Sequence, residues 1–399
     1  MTRLLYEASA LQGTITQYRR YLHENAEVHD ELPVTTAFVK SHLEEMGYHP
    51  EELCKSGVVA LAGKTPGKTM LLRADMDALP IPEETDLEFK CRSGCMHACG
   101  HDLHTAMLLG AAQLLKNHEE EIEGQVKLMF QPGEETGAGA VAMIEAGVLD
   151  NPKVDAAFMI HVMTGIPVAT GSIIIPRSGI MSASSDWFRV RILGKGGHGA
   201  APNTSVDPLN ILSHIHLALQ SINAREIAPE DNIVLTVGQM HGGETSNVIP
   251  ESAFLSGTIR TFSQEKREFV KMRLEQISQG IASTFRGSAI VEYDHTTPSL
   301  IVNHKLRDQF LDYINNLFDN SVVLDIEESL GVLKLTGSED FAHVCEKVPG
   351  LMAIIGAGST EEGFTFPMHH SKAAFNEEAL STGAAVYANT AIEWLKHNK

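Results

Sequence analysis

Residues 70–77 read Met-Leu-Leu-Arg-Ala-Asp-Met-Asp. Apolar side chains in succession, without polar alternation, suit a strand covered on both faces. The run ends in two carboxylates, Asp75 and Asp77. The same grammar recurs downstream. Val126–Phe130 leads into Glu134 and Glu135, and Ala156–Ile160 leads into His161. Val58–Ala62 and Leu351–Ile355 are further apolar runs, and helical patterns at Leu103–Asn117 and Gly139–Ala146 lie between them. Strand alternating with helix predicts an α/β fold with a mostly parallel central sheet covered by helices. Such sheets bind ligands at the carboxyl ends of their strands. Asp75, Asp77, Glu134, Glu135 and His161 are therefore expected along one edge.

Working outward, the spacing predicts helices over about Leu4–Glu24 and Pro33–Met46, the second stopping at Gly47. Near Ser182 the texture changes. Asp186–Leu193 alternates polar and apolar, as a half-exposed strand does. A helix (Val206–Asn223), strands Ile233–Met240 and Ala253–Phe262, a helix (Gln264–Phe285) and strand Ala289–Tyr293 follow. That β-α-β-β-α-β order is ferredoxin-like. Helices at Lys305–Phe318 and Glu377–Lys396 then restore the first texture. The expected organisation is a discontinuous α/β domain, 1–181 and 296–399, interrupted by an inserted α+β domain, 182–295. An exposed sheet edge in the insert would suit dimerisation.

The chain has 399 residues, of which 31 are Lys or Arg and 51 Asp or Glu, for a net charge of −20. Phosphate affinity comes from clustered cations, so nucleic acid is an unsuitable partner. Anionic membranes are disfavoured for the same reason. No stretch approaches the ~20 consecutive apolar residues of a membrane span. Residues 1–27 lack an apolar signal-peptide core, so a cytoplasmic location is expected.

The densest group of potential ligands is Met96-His97-Ala98-Cys99-Gly100-His101-Asp102-Leu103-His104. Cys99, His101 and His104 offer soft and borderline metal donors. Two readings fit: a catalytic centre, or a structural zinc site using Cys91, Cys95, Cys99 and a histidine. Gln131-Pro132-Gly133-Glu134-Glu135 adds paired carboxylates after a strand. Adjacent carboxylates point apart, so one can bind metal while the other moves a proton, as metal-assisted hydrolysis requires. A non-catalytic metal-binding protein would need no such base. Gly194-x-Gly196-x-x-Gly199 matches a dinucleotide fingerprint, but its strand carries Arg189 and Arg191 and Pro202 separates it from the next helix. The glycines are better read as allowing backbone approach around His198.

Residues 72–80 (LRADMDALP), MHACGHD at 96–102, FQPGEE at 130–135 and GKGGHGAAP at 194–202 together resemble the metallo-aminoacylase/carboxypeptidase family. More narrowly they resemble its amidohydrolase branch of hippurate hydrolases, auxin-conjugate amidohydrolases and N-acyl-amino-acid deacylases. NVIP at 247–250, GTIRT at 257–261 and Arg19-Arg20-x-Leu22-His23 fit the same pattern. The resemblance implies a catalytic domain carrying two divalent ions per subunit, manganese or zinc before cobalt or nickel, and an inserted dimerisation or lid domain. It implies that Cys99 bridges the ions, with His101 and His161 on one and Glu135 and His369 on the other. Glu134 would be the general acid/base and Asp77 would orient a ligating imidazole. His198 and Asn247 would hold the scissile carbonyl, His198 across a homodimer, and Arg260 the substrate's α-carboxylate. The implied reaction is hydrolysis of an N-acyl amino acid or short peptide; dipeptidase or metallo-carboxypeptidase activity would use the same site. Ser371 stands where the branch often has proline, which leaves His370 as an alternative to His369.

Overall fold

The computed structural model describes residues 2–318, 323–324, 326–331 and 334–399. The chain divides into two compact units. The first comprises Met1–Met181, Ile301–Leu333 and Asp340–Lys399, and the second Ser182–Leu300 with Lys334–Glu339. The second unit thus runs to Leu300 rather than 295 and takes in a six-residue segment from beyond it. Ser182 forms a bridge with Leu335, and the Ala183 N–H bonds the Leu335 carbonyl, which ties that segment in.

The first unit is built on one sheet. Its strands begin β1 (Glu51–Cys54), β2 (Gly57–Ala62), β3 (Thr69–Asp75), β4 (Gln125–Gln131) and β5 (Ala156–Met163). In space the order is β1-β2-β4-β3-β5, then Gly350–Gly356, Ile173–Ile174 and Val323–Leu324. The centre, β4-β3-β5 with Gly350–Gly356, is parallel, and β1 and β2 join antiparallel at one side. Every residue of β3 is buried, its apolar Met70–Leu72 run and the polar Arg73 and Asp75 alike. Helices α1 (Arg3–Ala10), α2 (Gln12–Glu24), α3 (Pro33–Glu45), α4 (His101–Asn117) and α5 (Gly139–Glu145) come from the N-terminal part. The expected single opening helix is two: Leu11 interrupts it, its N–H shared between the carbonyls of Glu7 and Ala8.

The sheet order places the site. β3 has β4 on one side and β5 on the other, so the chain reverses direction around it, the position at which open α/β sheets form a ligand crevice. The β3–β5 ladder ends at Arg73–Met159. Beyond it the strands part, and Tyr387, on the helix Ala379–His397, spans the gap. Its hydroxyl donates to the Arg73 carbonyl (2.7 Å) and accepts from the Ile160 N–H (2.9 Å).

In the second unit, strands Ile233–Gly242, Ser252–Thr261, Ser184–Leu193 and Ser288–Thr297 lie in that spatial order, all neighbours antiparallel. Phe188, Val190 and Ile192 point into a core with Ile211, Leu255 and Leu274, while Trp187 and Leu193 are exposed. This is the period-two pattern of a sheet packed on one face.

Candidate metal centre

The centre is assembled where β3, β4 and β5 end. Gly100 precedes α4 with φ +87, a left-handed conformation, and a Cβ there would meet Val162 Cγ2 at 2.4 Å. Only glycine fits this turn without displacement. Cys99 and His101 flank it and face a common space. The donor atoms of Cys99, His101 and His161 lie within 4.8 Å of one another, as do those of Cys99, Glu135 and His369. Cys99 Sγ is 3.7 Å from His161 Nε2 and 3.3 Å from His369 Nε2. Glu135 Oε1 is 3.6 Å from His369 Nε2.

Surrounding bonds present the imidazoles as ligands. His101 Nδ1 donates to the Asp77 carbonyl (2.8 Å) and His161 Nδ1 to the Val162 carbonyl (2.7 Å). A backbone carbonyl can only accept, so Nδ1 carries a proton in both rings. Burial leaves His161 neutral with its Nε2 lone pair available. In His101 burial is outweighed by Asp75 and Cys99, which hold it well above its ordinary pKa, so its Nε2 must give up a proton before it can ligate. His369 has φ +65, and its N–H bonds the Ala98 carbonyl (2.9 Å), holding its ring against Cys99. His370 instead stacks on Phe366, with 4.6 Å between ring centroids, and accepts the Lys372 N–H.

Asp77 organises the carboxylates. Its Oδ1 accepts the Glu134 N–H (3.0 Å) and its Oδ2 the Glu135 N–H (3.1 Å). One buried side chain thus fixes both backbone positions. Against the expectation that adjacent carboxylates point apart, a carboxylate oxygen of each glutamate lies within 4.8 Å of the other's and of a His101 ring nitrogen. Glu135 turns to His369, while Glu134 Oε1 accepts the Asp340 N–H (3.4 Å).

His104 is corrected as a candidate ligand. Its Nδ1 lies 2.5 Å from Asp75 Oδ1, and its Nε2 accepts the Val162 N–H (2.8 Å). Both ring nitrogens are engaged, so the ring cross-links β3 to β5 beside His161. The four-ligand zinc alternative loses its third cysteine to the cluster. Cys91 and Cys95 pair with each other, Sγ to Sγ 3.8 Å, and Cys95 donates to the Ala26 carbonyl. The Arg19–His23 motif serves α4: both side chains bond Asp102 Oδ2, at 2.7 and 2.8 Å.

Sequence reasoning missed Arg73 and Asp340. Arg73 is wholly buried and bonds Asp75 (2.7 Å), Asp340 (2.7 Å) and Gln131 (3.0 Å). An arginine inside an apolar strand was the available signal, since a buried guanidinium needs carboxylate partners.

His198, Asn247 and Arg260 belong to the second unit. His198 sits on a two-residue strand opposite Val248, and the Gly199 N–H bonds the Asn247 carbonyl (2.9 Å). A Cβ on Gly194 would meet the Val206 carbonyl at 2.3 Å, so close backbone approach explains the glycine there. Arg260 is half-buried, which lowers its pKa, and its Nη1 bonds Ser338 Oγ (3.0 Å).

The donor set fits divalent metal ions. His101 Nε2 and Glu135 Oε1 are both buried without a hydrogen-bond partner, a costly state unless a cation satisfies them. One sulfur, three imidazoles and a carboxylate suit borderline ions, and a thiol common to both groups suits a pair of them. Burial, with Glu135 beside it, pushes the Cys99 thiol up. Burial, with Asp77 and Asp75 nearby, raises Glu135 to about 7 against the opposing pull of His101. Burial and the nearby His104 and His101 hold His161 neutral, at about 3. Cation binding must therefore displace protons. Below its pKa Glu135 carries a proton that competes with metal, and above it the carboxylate is free. Apparent Mn²⁺ affinity is expected to fall about tenfold or more from pH 8 to pH 6. Calorimetric titration at the two pH values checks this; an unchanged affinity would remove Glu135 from the ligand set.

Residues 71–393 match the family model described as peptidase family M20/M25/M40. The chain is 36% identical to thermostable carboxypeptidase 2 of Saccharolobus solfataricus, over 98% of each chain. It is 37% identical to N-acetyl-L-cysteine deacetylase of Bacillus subtilis, over 98% of this chain and 90% of that one. A solved Bacillus subtilis structure, described as a dinuclear metal-binding peptidase from the M20 family, superposes with TM-score 0.79 at 32% identity, over 97% of this chain and 99% of that one. The motifs run through the whole chain in order, the strand ends converge on paired donor groups, and a relative of the same fold is described as dinuclear metal-binding: the chain belongs to peptidase family M20/M25/M40 and is a metal-dependent amide hydrolase.

Proposed function

We propose that the substrate is an N-acyl amino acid, cleaved to a carboxylic acid and a free amino acid, with Glu134 as general base and then general acid. The observation that carries this reading is Asp77, whose two oxygens hold successive amides of Glu134 and Glu135. That sets Glu135 with Cys99 and His369 and brings Glu134 beside the same cluster, near His101 but outside the two groups that share Cys99. Two divalent ions per subunit, manganese or zinc before cobalt or nickel, would be held by Cys99, His101, Glu135, His161 and His369, and would acidify a water and polarise the amide carbonyl. Glu134 takes the proton of the attacking water and passes it to the leaving nitrogen. His198 and Asn247 hold the scissile carbonyl.

Arg260 receives the α-carboxylate, for which its planar guanidinium is suited. Replacing Arg260 with methionine is expected to raise KM for N-acetyl amino acids about 10- to 100-fold. The rate on N-acyl amides lacking that carboxylate should be unchanged. Steady-state kinetics on the two substrate series check this, and an equal loss on both excludes the role. The similarity to a deacetylase supports the acyl substrate. The similarity to a carboxypeptidase favours a second reading, removal of a C-terminal residue from a short peptide by the same groups. A panel of N-acetyl amino acids, N-benzoyl amino acids and dipeptides with added Mn²⁺ or Zn²⁺ separates the two by relative kcat/KM. The reading includes a homodimer, tested by sedimentation, and a cytoplasmic location, which the five free cysteines suit.

A further inference from the structure

Asp340 lies more than 200 residues beyond Gln131, yet its carboxylate closes around the segment that carries Glu134. Gln131 Nε2 donates to both of its oxygens, at 2.9 and 2.8 Å. The Ala140 N–H donates to Oδ2 at 2.8 Å. Residues 131 and 140 are the two ends of the loop between β4 and α5, so one side chain clamps both. Arg73 Nη2 holds the same carboxylate at 2.7 Å, and Asp340 is 1% exposed. The Asp340 N–H then meets Glu134 Oε1 at 3.4 Å. Asp77 pins the middle of the loop from the other direction, through the amides of Glu134 and Glu135.

We infer that Asp340 is a positioning residue for the general base: it clamps segment 131–140 at both ends and aims its own N–H at the Glu134 carboxylate. The inference rests on the assignment of Glu134 as base. Proton transfer demands a carboxylate within hydrogen-bond reach of the reacting water, and a small displacement is costly in rate. Of the proposed ligands only Glu135 lies in the clamped segment, where Asp77 holds its amide independently of Asp340, and Cys99, His101, His161 and His369 lie outside it, so the effect is expected mainly in turnover.

The test is a double-mutant comparison on the metal-loaded enzyme. Asp340→Asn keeps the shape, removes the charge facing Arg73 and puts an NH₂ against donors. It is expected to lower kcat about 10- to 100-fold with KM within about threefold. Two Mn²⁺ per chain should still bind, and amide hydrogen exchange across 131–140 should accelerate. In a Glu134→Gln background, single-turnover assays should show no further loss, because the residue acts through the one already removed. Wild-type-like kcat, or the same fold loss in both backgrounds, would overturn the inference. Loss of metal would also overturn it, making Asp340 a support of the donor cluster. Should Glu134→Gln itself turn over at the wild-type rate, the base assignment fails, and hydrogen exchange still judges the clamp separately. If Asp340→Asn does not fold, Gln131→Met removes one strand of the clamp. It should lower kcat about three- to tenfold, again only when Glu134 is present, and a kcat within twofold of wild type sinks the proposal.

Discussion

Glu134→Gln is expected to lower kcat about 10³- to 10⁴-fold while the protein still folds and binds two metal ions. Glutamine keeps the shape and can still accept the Asp340 N–H, but it cannot take a proton from water. General acid–base catalysis contributes about 10²–10⁴ in rate, and here one side chain would serve both half-reactions. Glu134 lies outside the two donor groups that share Cys99, although its carboxylate also comes within 4.8 Å of donors on His101 and Glu135, so retained metal stoichiometry is the readout that separates a base from a ligand. Elemental analysis and kinetics on one N-acetyl amino acid settle the point together. A variant that kept metal and turned over within tenfold of wild type would move the base elsewhere. One that lost metal would make Glu134 a ligand.

Arg73→Met is expected to cost about 3–5 kcal/mol of stability, the usual penalty for removing one partner of a buried charge group. Arg73 and Asp75 are wholly buried and Asp340 is 1% exposed, so methionine would remove the guanidinium shared by two buried carboxylates and leave them only their neutral donors and the nearby histidines. Asp75 is now held well below the usual carboxylate range: burial would raise it, but His101, Arg73 and His104 outweigh that. The sign for pH follows. A depressed carboxyl contributes stability that is present above its unfolded pKa and is lost as pH falls through the folded one. Without Arg73, Asp75 should titrate higher, and the variant should unfold at a higher pH than wild type during acid titration. Thermal melts should show a decrease on the order of 10 °C. A melting temperature within about 2 °C of wild type would mean that the two carboxylates find other partners.

The strand-end residues of the candidate centre were largely legible because most of them close a local pattern. An unbroken apolar run predicts a buried strand, and the polar residues just past it fall at the sheet's carboxyl edge. Asp77, Glu134 and Glu135 obey this rule, whereas His161 follows its apolar run but lies inside β5, two residues before its end. His104 misled because it stands three residues after His101 on α4, one turn along the same face. Spacing alone makes the two histidines look equivalent. Only the Val162 N–H, brought in by β5, shows that the second is spoken for. Asp340 was illegible for a different reason. Its partners Arg73, Gln131 and Ala140 lie 200 or more residues away, and the helix it precedes, Phe341–Lys347, is short. The break at Leu11 carries neither glycine nor proline, so the periodicity runs through it. The edge pairings Ile173–Ile174 and Val323–Leu324 are two residues each, too short for any pattern to declare.

Tyr387 has a bearing on how the enzyme is made. Its hydroxyl is the stitch between β3 and β5 where their own ladder ends, and it sits on the last helix. Contacts between such distant segments form late, because closing long loops is slow. A nascent chain emerging from the ribosome therefore holds Cys99, His101 and Glu135 long before His369 and Tyr387 exist to complete their surroundings. On the proposed ligand set, cation capture would be a closing event of biosynthesis, because a translation product stalled before residue 369 would lack one of the donors.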